Sequence, residues 1–117
     1  MTFEADLFAL LKTACPRVFP DFAPVSTTRP YVTFQAVGGQ VINPLSNEKP
    51  GKRNAELQIN VWSNTRAESL SLSRAIEDAM RAATAFNARP QSAAVSDYDA
   101  DVPVYGARQD FSCWFTS

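Results

Sequence analysis

Residues 56–68 read Glu56-Leu57-Gln58-Ile59-Asn60-Val61-Trp62-Ser63-Asn64-Thr65-Arg66-Ala67-Glu68. The first eight alternate. Leu57, Ile59 and Val61 share one face, and Glu56, Gln58, Asn60 and Trp62 share the other. That is the pattern of a strand in an antiparallel sheet with one covered face. The last four form a capping box, with Thr65 as N-cap and Glu68 three residues on. A helix is expected from there to about Ala83, with Leu72, Ile76, Ala79, Met80 and Ala83 as its core stripe and Arg74, Glu77, Asp78 and Arg81 elsewhere.

The same rules extend outward. Upstream, Tyr31 to Val37 is a second strand in which Val32, Phe34 and Ala36 alternate with Thr33 and Gln35. Gly38-Gly39 marks a bend or bulge, with Gln40-Val41-Ile42 continuing the strand beyond it. Asn43 to Arg53 is then a long polar connection, with Lys49, Gly51, Lys52 and Arg53 at its basic end. Pro16, Pro20, Pro24 and Pro30 exclude a long helix before the first strand. Arg17-Val18-Phe19 fits a short edge strand, with Phe19 or Phe22 tucked against the core. At the start, Thr2 caps a helix whose apolar stripe is Phe3, Leu7, Leu10, Leu11 and Ala14. Downstream, Asn87 to Pro90 breaks the second helix, Ser92 to Asp97 is a weak strand, and Asp99 to Pro103 is a turn. Val104 to Phe115 closes the fold, with Phe111, Cys113 and Phe115 on one face and Arg108, Asp110, Ser112 and Trp114 on the other.

The order α-β-β-α-β-β predicts a single α+β domain over residues 1–117. Its expected form is an antiparallel sheet of about four or five strands with two helices packed on one face. The helices bury the side carrying Val32, Phe34, Leu57, Ile59, Val61, Phe111 and Phe115. The other side carries Tyr31, Gln35, Gln58, Asn60, Trp62, Arg108 and Trp114.

Composition removes several functions. The chain has 117 residues, 45% hydrophobic and 20% charged, which is ordinary globular usage. The longest apolar run, Leu7 to Leu11, is far short of the roughly 20 residues of a membrane-spanning helix. Eleven basic residues stand against twelve acidic ones, a net charge of -1, so the surplus that tight nucleic-acid binding needs is missing. There is no histidine, which removes Ser-His-Asp and Cys-His catalysis and histidine metal sites. Cys15 and Cys113 form no C-x-x-C pair; reduced core thiols are the favoured reading, and a disulfide stays open. The acidic start, Met1-Thr2-Phe3-Glu4-Ala5-Asp6, lacks the basic region of a secretory signal and predicts a chain that begins in the cytoplasm.

Few constellations carry chemistry. Asp97, Asp99 and Asp101 have the spacing of a calcium loop, but Val102 and Arg108 stand where that loop needs glycine and glutamate. A solvated strand end and turn is the better reading. No nucleophile elbow, P-loop or dinucleotide fingerprint is present, and no catalytic, metal-binding or cofactor-binding residue is assigned. Lys49, Lys52 and Arg53, diluted by Glu48, read first as a solvated hairpin tip. The functional alternative is a mobile arm, Asn43, Lys49, Gly51, Lys52 and Arg53, that reaches a partner or lines a channel. Trp62 and Trp114 lie on the face away from the helices and are costly to leave in water. With Tyr31, Gln58, Asn60 and Arg108 they form a candidate subunit interface. A covering loop from residues 20 to 30 is an equal alternative.

Several segments together resemble one family. They are Tyr31-Val32-Thr33-Phe34-Gln35 followed by Gly38-Gly39, then Leu57-Gln58-Ile59-Asn60-Val61-Trp62-Ser63 leading into the Thr65 helix, then Tyr105-Gly106 and Asp110-Phe111-Ser112-Cys113-Trp114-Phe115. This order and chain length are similar to the tail-completion, or tail-terminator, proteins of siphophages and prophages. The resemblance implies an α+β subunit of a ring, often a hexamer, at the head-proximal end of the tail tube. Such a ring stops tube polymerisation and joins tail to head. The implied partners are other copies of the chain, the tail-tube protein and the head-connector protein, with DNA passing through the ring. The implied location is the virion tail, assembled in the host cytoplasm. No enzyme activity, cofactor or membrane partner is implied. The competing readings are another head–tail connector subunit and a small non-enzymatic ligand-binding module, the latter needing an enclosed apolar pocket.

Overall fold

A computed structural model describes residues 2–47 and 51–116. Lys49 of the expected arm lies outside the described residues. The first helix, α1, spans Phe3–Ala14, and the Thr2 hydroxyl accepts the Ala5 N–H at 3.1 Å to cap it. Leu7 and Leu11 are its fully buried positions. β1 is Val18–Pro20 and β2 is Tyr31–Ala36. β3 is Lys52–Ser63, and α2 is Arg66–Ala82. The Thr65 hydroxyl accepts the Glu68 N–H at 3.1 Å, so the cap forms where the sequence places it. β4 is Arg89–Pro90, β5 is Val95–Asp99 and β6 is Val104–Thr116.

The six strands form one sheet in the order β1-β2-β3-β6-β4, with β5 also paired to β6. β3 pairs with β6 antiparallel from Lys52↔Thr116 to Ser63↔Tyr105, and this ribbon is the spine of the molecule. Both helices pack on one face. Leu7, Leu11, Ile76 and Met80 share a core cluster with Val32, Phe34, Leu57, Ile59, Val61 and Phe111. Phe3 stacks on Phe115 with centroids 4.2 Å apart and meets Phe86 edge-on, closing one end of the core. Among the described residues, every buried side-chain nitrogen or oxygen has a hydrogen-bond partner.

The structure departs from the expected elements in five places. β1 runs parallel to β2, not antiparallel. A strand of only three residues lets the 21–30 segment return to its start without a helical crossover. β4 was not expected, because proline argues against a strand. It forms as a two-residue edge in which Arg89 and Pro90 pair with Ser112 and Phe111. β3 starts at Lys52 instead of Glu56, because β6 continues to Thr116 and offers partners to the extra residues. Lys52 and Arg53, expected in the mobile arm, therefore belong to this strand. Val41 and Ile42 do not continue β2. Gly38 and Gly39 take φ of 128° and 141°, which ends the regular strand, although the Gly38 carbonyl still accepts the Glu56 N–H and Gly39 lies so close to β3 that a Cβ would fall 2.5 Å from the Asn54 carbonyl oxygen. Finally, Ser69 and Ser73 join Ile76 and Met80 on the buried face of α2, while Leu72 is only half-buried. Ser69 satisfies its hydroxyl by donating to the Arg66 carbonyl at 2.9 Å.

Candidate subunit interface

The register of β2, β3 and β6 puts Tyr31, Trp62 and Gly106 in one row across the sheet, and Thr33, Asn60 and Arg108 in the next. Gln35, Gln58 and Asp110 make the third. All nine are on the face away from the helices, because Val32, Val61 and Ala107 between them point into the core. The pleat thus delivers the side chains that alternation predicts.

Tyr31, Thr33, Asn60, Trp62 and Arg108 line an open hollow of about 420 Å³, together with Asp97 of β5 and Asp21, Phe22 and Ala23 of the loop after β1. Two carboxylates, one guanidinium and aromatic walls give it a mixed character suited to recognition. Arg29 ties the same loop across the sheet end by donating to the Asn64 side-chain oxygen at 3.2 Å and the Pro103 carbonyl at 2.8 Å. Phe22, a candidate for tucking into the core, is 78% exposed at the rim, whereas Phe19 is half-buried.

Trp62 lies over Gly106, where a Cβ would sit 2.7 Å from a ring carbon. The backbone of β6 therefore serves as the floor for the indole, which is half-buried. A glycine inside a closing strand is a sequence signal for such close approach. Thr33, Asp97 and Gly106 are residues of this site that sequence reasoning did not place there, whereas Asp21, Phe22 and Ala23 belong to the 20–30 loop it offered as a cover.

Trp114 is elsewhere. It pairs with Asn54 and stands eight residues beyond Gly106 along β6, about 27 Å at strand spacing. It lines a separate hollow with Arg81, Ala83, Thr84, Asn87, Ala88 and Arg89. Gln58 sits between the two tryptophans. The candidate residues thus share a face without forming one patch.

Asp99 accepts the backbone N–H groups of Asp101 at 3.0 Å and Val102 at 3.5 Å, which shapes the turn before β6. No three His, Cys, Asp or Glu side chains among the described residues stand together as metal ligands. Cys15 and Cys113 are free and buried, and burial pushes the Cys113 thiol up to about 12. Among the described residues no helix is long and apolar enough to cross a membrane.

A family model described as tail completion protein gp17 matches residues 4–116, from the first turn of α1 to the end of β6. The chain belongs to the tail completion protein gp17 family. A solved structure, that of the gp17 protein of bacteriophage SPP1, has the same fold at a TM-score of 0.57 and 18% identity, covering 94% of this chain and 86% of that one. No curated protein matches the sequence. As a tail-completion family member, the chain is a phage tail component that meets other tail or head components.

Proposed function

We propose that this tail-completion protein assembles as a ring at the head-proximal end of the tail tube, ends tube polymerisation there and joins the tail to the head. The observation that carries this reading is the family match across residues 4–116. The surface supports it. A closed ring needs heterologous contacts, in which one patch meets a different patch on the next subunit. The chain leaves apolar side chains in water at separated places, among them Phe22 at the outer hollow and Val41 and Leu45 beyond β2. The partners are further copies of the chain, the tail-tube protein and the head connector. Assembly takes place in the host cytoplasm, and the role is structural, without catalysis. A net charge of -1 suits a ring through which DNA passes without sticking.

Electron microscopy of particles from a deletion strain of the phage or prophage tests the reading. Overlong tubes of uneven length without heads are expected, corrected by supplying the protein in trans. Uniform tubes that lack heads would remove tube termination and leave the role of another head–tail connector. Complete particles would remove both.

A further inference from the structure

The hollow at Trp114 is a basic recess. It measures about 530 Å³ and is lined by Arg81 at the end of α2, Arg89 of β4 and Trp114. Among the described residues no carboxylate lines it. Arg89 is exposed and forms no ion pair among the described residues. Arg81 holds Glu77 through its Nε alone, at 3.1 Å, so its two terminal nitrogens keep their donors. The half-buried Trp114 ring supplies an apolar wall. Two guanidiniums beside an indole suit a carboxylate-bearing segment with apolar side chains next to its acids.

The same chain carries such a segment at the far end of the β3–β6 ribbon. β5 pairs with the start of β6 as a hairpin, and all five β5 residues are exposed. Asp97, Asp99 and Asp101 lie on β5 and the turn that follows, with Tyr98 49% and Val102 55% exposed among them. The tip is ordered. Asp99 accepts the Asp101 and Val102 N–H groups, and Tyr98 packs on Tyr105 across the hairpin with centroids 4.8 Å apart. Arg108 shares the outer hollow with Asp97, and Arg29 reaches the Pro103 carbonyl. Even so, none of the three acids is ion-paired among the described residues. An acidic tip fixed in this way has little conformational freedom left to lose on docking. It does not reach the recess of its own chain: from Val104 to Trp114 is ten residues of β6, about 33 Å at strand spacing.

We infer that the acidic β5–β6 turn of one copy of this chain docks in the Arg81–Arg89–Trp114 recess of a second copy, with Asp101 paired to Arg89. The charges are complementary, and both surfaces also expose apolar area that the contact covers. Turn and recess are different surfaces at opposite ends of one ribbon, so the contact is heterologous and propagates from subunit to subunit, as a ring requires. This rests on the ring reading above, and it identifies the contact.

Disulfide trapping combined with charge reversal tests it. Thr84→Cys at the recess and Ala100→Cys at the turn change exposed, uncharged positions, while Cys15 and Cys113 stay buried. Matching melting temperatures check that every variant folds. Mixed and oxidised, the two single variants should give a covalent heterodimer that neither gives alone. Adding Arg89→Glu to the first or Asp101→Arg to the second should lower its yield about tenfold, and the two reversals together should restore it. A chain with both cysteines, assembled into tails, should give a ladder of covalent multimers that responds to the reversals in the same way. Such a ladder supports the contact whether or not the free protein cross-links. Cross-links indifferent to the reversals, or reversals that do not rescue one another, would overturn the inference. So would the absence of any ladder in tails that contain the protein. Absence of the wild-type protein from tails would remove the ring reading instead. The solution heterodimer then decides the contact, its formation supporting it and its failure overturning it.

Discussion

Gly106 is where one missing side chain sets the shape of the outer face. The Trp62 ring occupies the space a Cβ would need, 2.7 Å from its carbon. Gly106→Ala must tilt the indole or strain the β3–β6 ribbon, and is expected to lose about 1–3 kcal/mol in denaturant unfolding. The loss should shrink when Trp62→Ala is made first, because the clash is then gone. Equal losses in both backgrounds would refute the packing argument. The outward direction of Trp62 is legible from alternation. Its seat on Gly106 needs the cross-strand register, which no local pattern supplies.

Between elements, one polar tie joins α2 to the sheet. The buried Gln109 amide of β6 donates to the Glu77 carboxylate at 2.7 Å and to the Ser92 carbonyl at 2.8 Å. Arg81, one turn along α2, holds the other carboxylate oxygen at 3.1 Å. The Gln109 bond first, then Arg81, keep the Glu77 carboxyl below its ordinary value of 4.5. Since the folded pKa lies below the unfolded one, this tie stabilises fully above about 4.5 and is lost as pH falls through the folded value. Wild-type stability should therefore fall more steeply with acid than that of Glu77→Gln over that range, as measured by urea midpoints at several pH values. Parallel curves would mean the tie does not couple to folding. Helix ends were legible to within a residue or two because the Thr2 and Thr65 caps are local. Strand ends were less so. β3 gained four residues and β4 appeared only because β6 supplied partners from far along the chain.

At the scale of the molecule, the strand that comes last in the chain lies beside β3 in the middle of the sheet, and the long β3–β6 ribbon accompanies a shape of 52 × 26 × 25 Å. Trp62 and Trp114 sit toward opposite ends of that ribbon, with separate neighbours. If both contribute to assembly, they do so at different contacts. The effects of Trp62→Ala and Trp114→Ala on the free energy of assembly onto tail tubes should then add within about 0.5 kcal/mol in the double variant. A coupling well above that, seen in sedimentation of protein with tubes, would mean a single shared patch.

The sequence by itself determined which residues cap the helices, which face the residues of β2, of β6 and of the Glu56–Ser63 part of β3 take, and that no histidine chemistry is available. These properties depend on neighbours within four positions or on composition, so they are readable without a partner. Only the tertiary structure decided the parallel pairing of β1, the exposure of Phe22, the distance between the tryptophans, and the exposure of Val41 and Leu45 beyond β2. Those depend on which distant strand completes the hydrogen bonds of another, and on how much apolar surface each pairing removes from water across the whole chain.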